Sequence, residues 1–230
     1  LQPIERLQED LVLAAAMPAP EFRLSPMLLL GEPGIGKTFL ASQLADALGV
    51  PSEKISAGGG HGSFQLTGSH STWTGAQPGA VAALLAKSAF AAPVLVIDEV
   101  DKLSDGRHPL LPVLLDLLDA GTAKRFRDEY FEMELDASRM VVVLTANDIG
   151  KVPAPLLSRV QVFTVPAPQP AQRLRIIEQT MAALVRKTGH CIGLAPGAPE
   201  QLSQRMDIDL RQLHRLVSAA FASALQAGSA

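Results

Sequence analysis

Residues 31–38 read Gly31-Glu32-Pro33-Gly34-Ile35-Gly36-Lys37-Thr38. They satisfy the G-x-x-x-x-G-K-[ST] pattern at every fixed position. The setting agrees. Met27 to Leu30 is a short apolar run suited to a buried strand, and Thr38 to Leu48 has helical spacing that stops at Gly49. The glycines permit a tight loop whose backbone N–H groups turn inward toward phosphate. The helix that follows adds a field favouring anions. In such a loop Gly31 to Gly36 form the cradle, Lys37 reaches the β- and γ-phosphates, and Thr38 ligates Mg²⁺. A chance glycine-rich turn does not account for the strand before it and the helix after it.

Further along, Val94-Leu95-Val96-Ile97 is a continuous apolar run followed by Asp98-Glu99. Such a run reads as a strand covered on both faces, which delivers Asp98 to its C-terminal edge to hold the metal. Glu99 follows, placed to polarise an attacking water. Alone, Asp-Glu at a strand end is usually structural; downstream of a phosphate loop it implies hydrolysis. Val141 to Ala146 is a further apolar strand, ended by Asn147, whose amide can orient a water near the terminal phosphate. By itself an Asn in that position is most often a turn former.

The rest of the chain fits an α/β sheet followed by helices. Leu1 to Ala16 reads as an amphipathic helix, Lys54 to Ala57 as a short strand, Val81 to Phe90 and Leu110 to Leu118 as helices, and Val160 to Val165 as a strand. Strands separated by helices predict a parallel sheet flanked by helices. Gly58 to Pro78 is a long Gly/Ser/Thr/His-rich stretch, of a kind that is functional or mobile in compact domains. After Pro166-Ala167-Pro168-Gln169-Pro170 only helices are expected, over Arg173 to Lys187 and Leu210 to Leu225, with Leu194 to Glu200 as a linker. The predicted division is an α/β nucleotide-binding core over 1–167 and an all-helical lid over 168–230.

The chain has 230 residues, 47% of them hydrophobic and 19% charged, with a formal net charge of -3. This suits a packed core, excludes disorder, and gives no sign of a whole-molecule nucleic-acid or membrane-surface binder. No apolar run approaches the roughly 20 residues of a membrane-spanning helix. Glu5, Arg6, Glu9 and Asp10 interrupt the N-terminal apolar residues, which is not a signal-peptide pattern. Cys191 is the only cysteine, so no internal disulfide or cysteine-based zinc cluster exists, and a reducing, cytoplasmic setting is expected. The chain does not begin with Met and reads as a piece of something longer. The histidines (His61, His70, His108, His190, His214) lack metal-ligand spacing.

With these residues in hand, the chain resembles an AAA+ ATPase, and more narrowly the ATPase module of Lon proteases. The resemblance rests on the phosphate loop, on Ile97-Asp98-Glu99-Val100-Asp101-Lys102, on Thr145-Ala146-Asn147, on Val152 to Arg159, and on Gly68-Ser69-His70-Ser71-Thr72-Trp73-Thr74-Gly75-Ala76-Gln77-Pro78-Gly79. It implies ATP as the nucleotide. Asn147 corresponds to sensor 1, Arg159 to the arginine finger that completes a neighbouring subunit's site, and Arg211 to the sensor 2 arginine of the lid, with Arg215 one turn on as the other candidate. Trp73, Thr74 and Gly75 correspond to a pore loop that grips an extended polypeptide. Thr74 departs from the aliphatic residue usual there. The alternative for Trp73 is a core tryptophan, although its neighbours are polar. Residues 119–126 fall where the family has a second pore-facing loop, or form a solvated hairpin.

The resemblance therefore implies a Mg²⁺- and ATP-dependent motor that unfolds, translocates or remodels a protein substrate through a ring, most simply a hexamer. Two alternatives stay open: an ATPase module excised from a longer protease, whose Ser–Lys domain is absent here, and a nucleotide-gated scaffold. A nucleic-acid motor fits poorly, because no Lys or Arg lies between Ser63 and Pro78.

Overall fold

The computed structural model describes residues 9, 12, 23–59, 62–103 and 109–228. The helix expected over Leu1 to Ala16 lies outside these residues except for Glu9 and Val12, both helical. Five parallel strands form one sheet: β1 (Met27–Leu30), β2 (Ser52–Ser56), β3 (Val94–Asp98), β6 (Val141–Ala146) and β7 (Gln161–Thr164), in the order β2-β3-β6-β1-β7. A separate antiparallel hairpin pairs β4 (Phe126–Asp128) with β5 (Met133–Leu135). The first helices are α1 (Lys37–Leu48), α2 (Phe64–Thr67), α3 (Ala80–Lys87), α4 (Leu110–Leu118), α5 (Ala120–Ala123) and α6 (Ala154–Leu157).

Period-2 geometry explains why the central strands are apolar throughout. Leu28, Leu95, Ile97, Val142 and Leu144 enter one buried cluster, while Met27, Leu29, Val94, Val96, Val141 and Val143 enter another. Alternate side chains thus feed the two faces of one sheet, and both faces are covered. Helix α1 buries Ala41 and Ala45, one turn apart, against the second cluster. The edge strand β2 is different: only Ile55 is buried, and Ser52, Glu53 and Lys54 are exposed.

The topology fixes where a ligand can sit. The chain leaves β1 for β2 on one side, while β7 lies on the other, so β1 is where the winding reverses. In open α/β sheets the crevice beyond the C-terminal strand ends at such a reversal is the binding position. Residues 31–38 follow β1 directly.

The chain divides into two compact units. The first holds the residues up to Gly31 together with Lys37–Val165; the second holds Glu32–Gly36 and the residues from Pro166 onward. The second unit is all helical, with α7 (Pro170–Thr188), α8 (Ala198–Ser203) and α9 (Leu210–Gly228) around Ile177, Leu213 and Val217. Helix α8 begins inside the stretch read as a linker. Over 119–126, Asp119 caps α5 by accepting from Gly121 and Thr122, and Phe126 opens the β4–β5 hairpin.

Leu144, 1% exposed, belongs to the larger sheet cluster. Leu144→Ala is expected to cost about 2–5 kcal/mol through lost transfer energy and a residual cavity. A guanidinium unfolding midpoint unchanged from the wild type would show that the site collapses without cost.

Candidate functional site

The C-terminal ends of β1, β3 and β6 lie side by side, with Leu30 opposite Ala146 and Ile97 opposite Leu144. This register delivers three polar groups to one place. Lys37 is buried, and its Nζ donates to the Gly31 carbonyl at 2.8 Å and to Asn147 Oδ1 at 2.8 Å. Thr38 Oγ1 donates to Asp98 Oδ1 at 2.9 Å. Phosphate-loop, Asp98 and Asn147 residues, read from separate stretches of sequence, thus form one connected network.

The loop conformation depends on its glycines. Gly34 has φ 77° and Gly36 has φ 95°, values that side-chain-bearing residues rarely adopt. Glu32 and Pro33 are exposed, and Ile35 is half-buried. Within the second unit, the Leu210 N–H donates to the Gly34 carbonyl at 3.1 Å. A cavity of about 190 Å³ there is lined by residues including Pro33, Ile35, Pro168, Arg173 and Ile208.

Metal-binding capacity follows from the donor chemistry. The Thr38 hydroxyl, at the start of α1, and the Asp98 carboxyl, at the end of β3, are oxygen donors already 2.9 Å apart. A hard divalent cation such as Mg²⁺ takes such oxygen ligands. The residues fit the ion.

Glu99 has a left-handed backbone, φ 61°, and begins a 3₁₀ turn over Val100–Lys102. That turn returns Lys102 to Glu99, with Nζ donating to Oε1 at 2.7 Å. The hydrogen bond to Glu99 pushes the exposed Lys102 ammonium upward in pKa, with desolvation opposing. Glu99 is therefore tethered by its own 3₁₀ turn.

Three supporting residues carried no assignment in the sequence. Thr145 Oγ1 donates to Asp98 Oδ1 at 2.5 Å and accepts from the Glu99 N–H at 3.0 Å, so one buried hydroxyl positions both acidic residues. Asp101 Oδ2 accepts from the backbone N–H groups of Asn147 and Asp148, at 3.1 and 3.3 Å. Lys102 holds Glu99. Each sits inside a motif quoted for the family resemblance, which was the only signal available.

The hydrogen bonds of this network do not include the remaining candidates. Arg159 is exposed and donates to the Pro155 carbonyl at 3.1 Å. Its charge, secondary to the backbone N–H groups of Thr122 and Gly121, helps hold the Asp119 carboxyl below its usual pKa. Arg211 is exposed on α9 of the second unit, and so is Arg215. Trp73, Thr74 and Gly75 are exposed, with Trp73 at 53%, so it is no core residue. Its ring meets Phe64 edge-on, with centroids 5.4 Å apart. Among the described residues no cluster of His, Cys, Asp and Glu could hold a further metal, and no helix is long and apolar enough to cross a membrane.

Known proteins resemble this chain in sequence and in fold. The sequence model of the ATPase family associated with various cellular activities (AAA) matches residues 27–166. Lon protease of Neorickettsia sennetsu is 35% identical over 187 residues, covering 80% of this chain and 22% of that protein. Lon protease of Phenylobacterium zucineum is 31% identical over 224 residues, covering 92% of this chain and 28% of that protein. The chain thus spans about a quarter of the length of these relatives. Among solved structures, Hsp104 in a closed state with ATPγS and FITC casein superposes with a TM-score of 0.71 at 21% identity, over 89% of this chain and 41% of that one. A point mutant of Thermotoga maritima RuvB gives 0.61 at 21% identity, over 93% and 60%. The match to the family over the whole sheet, with Lon proteases as relatives across most of the chain, makes this chain a Lon-like member of the AAA family of ATPases.

Proposed function

We propose that the chain hydrolyses ATP with Mg²⁺ and uses the cycle to pull or remodel a protein substrate. The observation that carries this reading is the network joining Lys37 to Asn147 and Thr38 to Asp98. It gathers phosphate-binding, metal-binding and water-orienting groups at one strand edge. The working division is a nucleotide-binding core over 1–167 and a helical lid over 168–230.

The roles follow from the chemistry. Gly34 to Gly36 present backbone N–H groups to the phosphates, and the start of α1 adds a favourable field. Lys37, now bonded to Gly31 and Asn147, turns its ammonium to the β- and γ-phosphate oxygens. Thr38 and Asp98 hold Mg²⁺, which when bound neutralises phosphate charge. Glu99 leaves Lys102 to accept a proton from the attacking water, and Asn147 orients that water. Arg159 stabilises charge on a neighbouring subunit's γ-phosphate, which requires a ring, a hexamer by family resemblance, and Arg211 serves as the sensor 2 arginine of the lid. Trp73, with Thr74 and Gly75, contacts the polypeptide. The exposure of Trp73 and the absence of Lys and Arg from Ser63 to Pro78 favour a protein over a nucleic acid. The Lon relatives, much longer than this chain, support the view that it is the ATPase module of a larger protease.

Glu99→Gln is expected to lower ATP turnover by about 10²-fold or more while nucleotide binding persists, as loss of a general base requires. Unchanged turnover would remove Glu99 from the reaction. Specific activity is expected to rise with protein concentration and to fall by about 10³-fold in Arg159→Ala, since the finger acts between subunits. Concentration-independent activity that survives Arg159→Ala would exclude that role.

A further inference from the structure

Residues 69–78, which carry Trp73, leave and rejoin the fold at a backbone crossing. Gly68 has φ 74°, and a Cβ on it would stand 2.6 Å from the Gly79 nitrogen. A Cβ on Gly79 would stand 2.0 Å from the Leu66 carbonyl oxygen. Only glycine at both positions lets the two chain segments touch. Ser69 N–H donates to the Gln77 carbonyl at 3.1 Å, closing the neck.

The neck is held by the β4–β5 hairpin. Asp128, at the end of β4, is 0% exposed. Its Oδ2 accepts from the Gly79 N–H at 2.9 Å. Its Oδ1 accepts from the Tyr130 and Phe131 N–H groups at 3.0 and 2.9 Å. The next residue, Glu129, donates its N–H to the Thr67 carbonyl at 2.7 Å. Both stems of the Trp73 loop are thus clasped, Thr67 on one side and Gly79 on the other. A lighter exposed pair, His70 Nε2 to Glu132 Oε1 at 3.3 Å, adds a contact from the loop to the hairpin turn.

A buried carboxyl group is costly unless both oxygens are satisfied. Here one oxygen shapes the hairpin turn and the other fixes the loop neck, so neither partner can shift without stranding the other. We infer that Asp128 is a positioning residue for substrate engagement: it locks the Trp73 loop to the β4–β5 hairpin so that Trp73 is presented in one orientation. This inference rests on the reading of Trp73 as a contact for polypeptide.

Asp128→Asn provides the sharpest test. The amide oxygen can still accept from Tyr130 and Phe131, but the NH₂ faces the Gly79 N–H, donor to donor. The turn persists while the bond to the loop neck is lost. Trp73 is the only tryptophan, so its fluorescence reports on this loop alone. In the 230-residue chain, Asp128→Asn is expected to raise acrylamide quenching of Trp73. It is also expected to weaken binding of fluorescein-labelled casein about fivefold, the scale of one lost hydrogen bond. Unchanged quenching, or an equal rise in Glu132→Gln, which removes only the exposed pair, would overturn the assignment. Should Asp128→Asn not fold, hydrogen exchange on the wild type decides. The Gly79 amide is expected to be as protected as those of Tyr130 and Phe131, and exchange at an open-loop rate would refute the brace. Trp73→Ala separates the two readings. If it leaves casein binding intact while Asp128→Asn still raises quenching, the brace stands and the substrate role of Trp73 fails.

Discussion

One carboxyl oxygen organises the candidate site. Asp98 Oδ1 accepts hydroxyls from Thr38, at the start of α1, and from Thr145, near the end of β6. Hydrogen bonds to a charged acceptor are worth about 1.5–3 kcal/mol each, enough to fix local register. The atom thereby ties the phosphate loop to two strands that the chain connects only through long crossovers. Thr145 passes the constraint to the Glu99 N–H, and the loop returns it through Lys37 to Asn147. Thr38 and Thr145 are held by this oxygen directly and Glu99 through Thr145, while Lys37 and Asn147 are held by a contact of their own one residue along.

The sheet beneath makes the arrangement possible. Parallel strands place all their C-terminal ends on one side, and alternation of buried side chains between two clusters locks their register. A slip of one residue would send each apolar side chain to the opposite face and would separate Asp98 from both hydroxyls. Precision at the site is inherited from hydrophobic packing rather than from the polar contacts alone.

Legibility in the sequence followed the range of the interactions. The central strands could be read because runs such as Val94 to Ile97 are apolar on both faces. Lys37, Thr38, Asp98 and Asn147 could be read because each ends a strand or starts a helix. The hairpin was harder: β4 and β5 are short and carry Arg127 and Glu134, so no clean alternation survives. Helix α8 was hidden by Pro199, which local reading takes as a linker residue but which is tolerated in a helix's first turn. Thr145, Asp101 and Asp128 were silent because the contacts that tie them to the site or to the loop neck span 46 to 49 residues. Arg159 and Arg211 owe their proposed roles to resemblance alone, since a lone exposed arginine, whether in a turn like Arg159 or on a helix like Arg211, carries no local signature.

The left-handed backbone at Glu99 has a further consequence. An L-residue with φ 61° is strained by roughly 1–2 kcal/mol relative to an ordinary conformation, and glycine escapes most of that strain. Glycine at this position would relax the turn after β3 and lengthen the lifetime of the folded chain. It would also delete the carboxylate proposed to take the proton of the attacking water. Under the role proposed for Glu99, stability and turnover pull in opposite directions at this single position. Selection for robustness alone would drift toward glycine or asparagine, and under that role it is selection for the chemistry that holds glutamate in place.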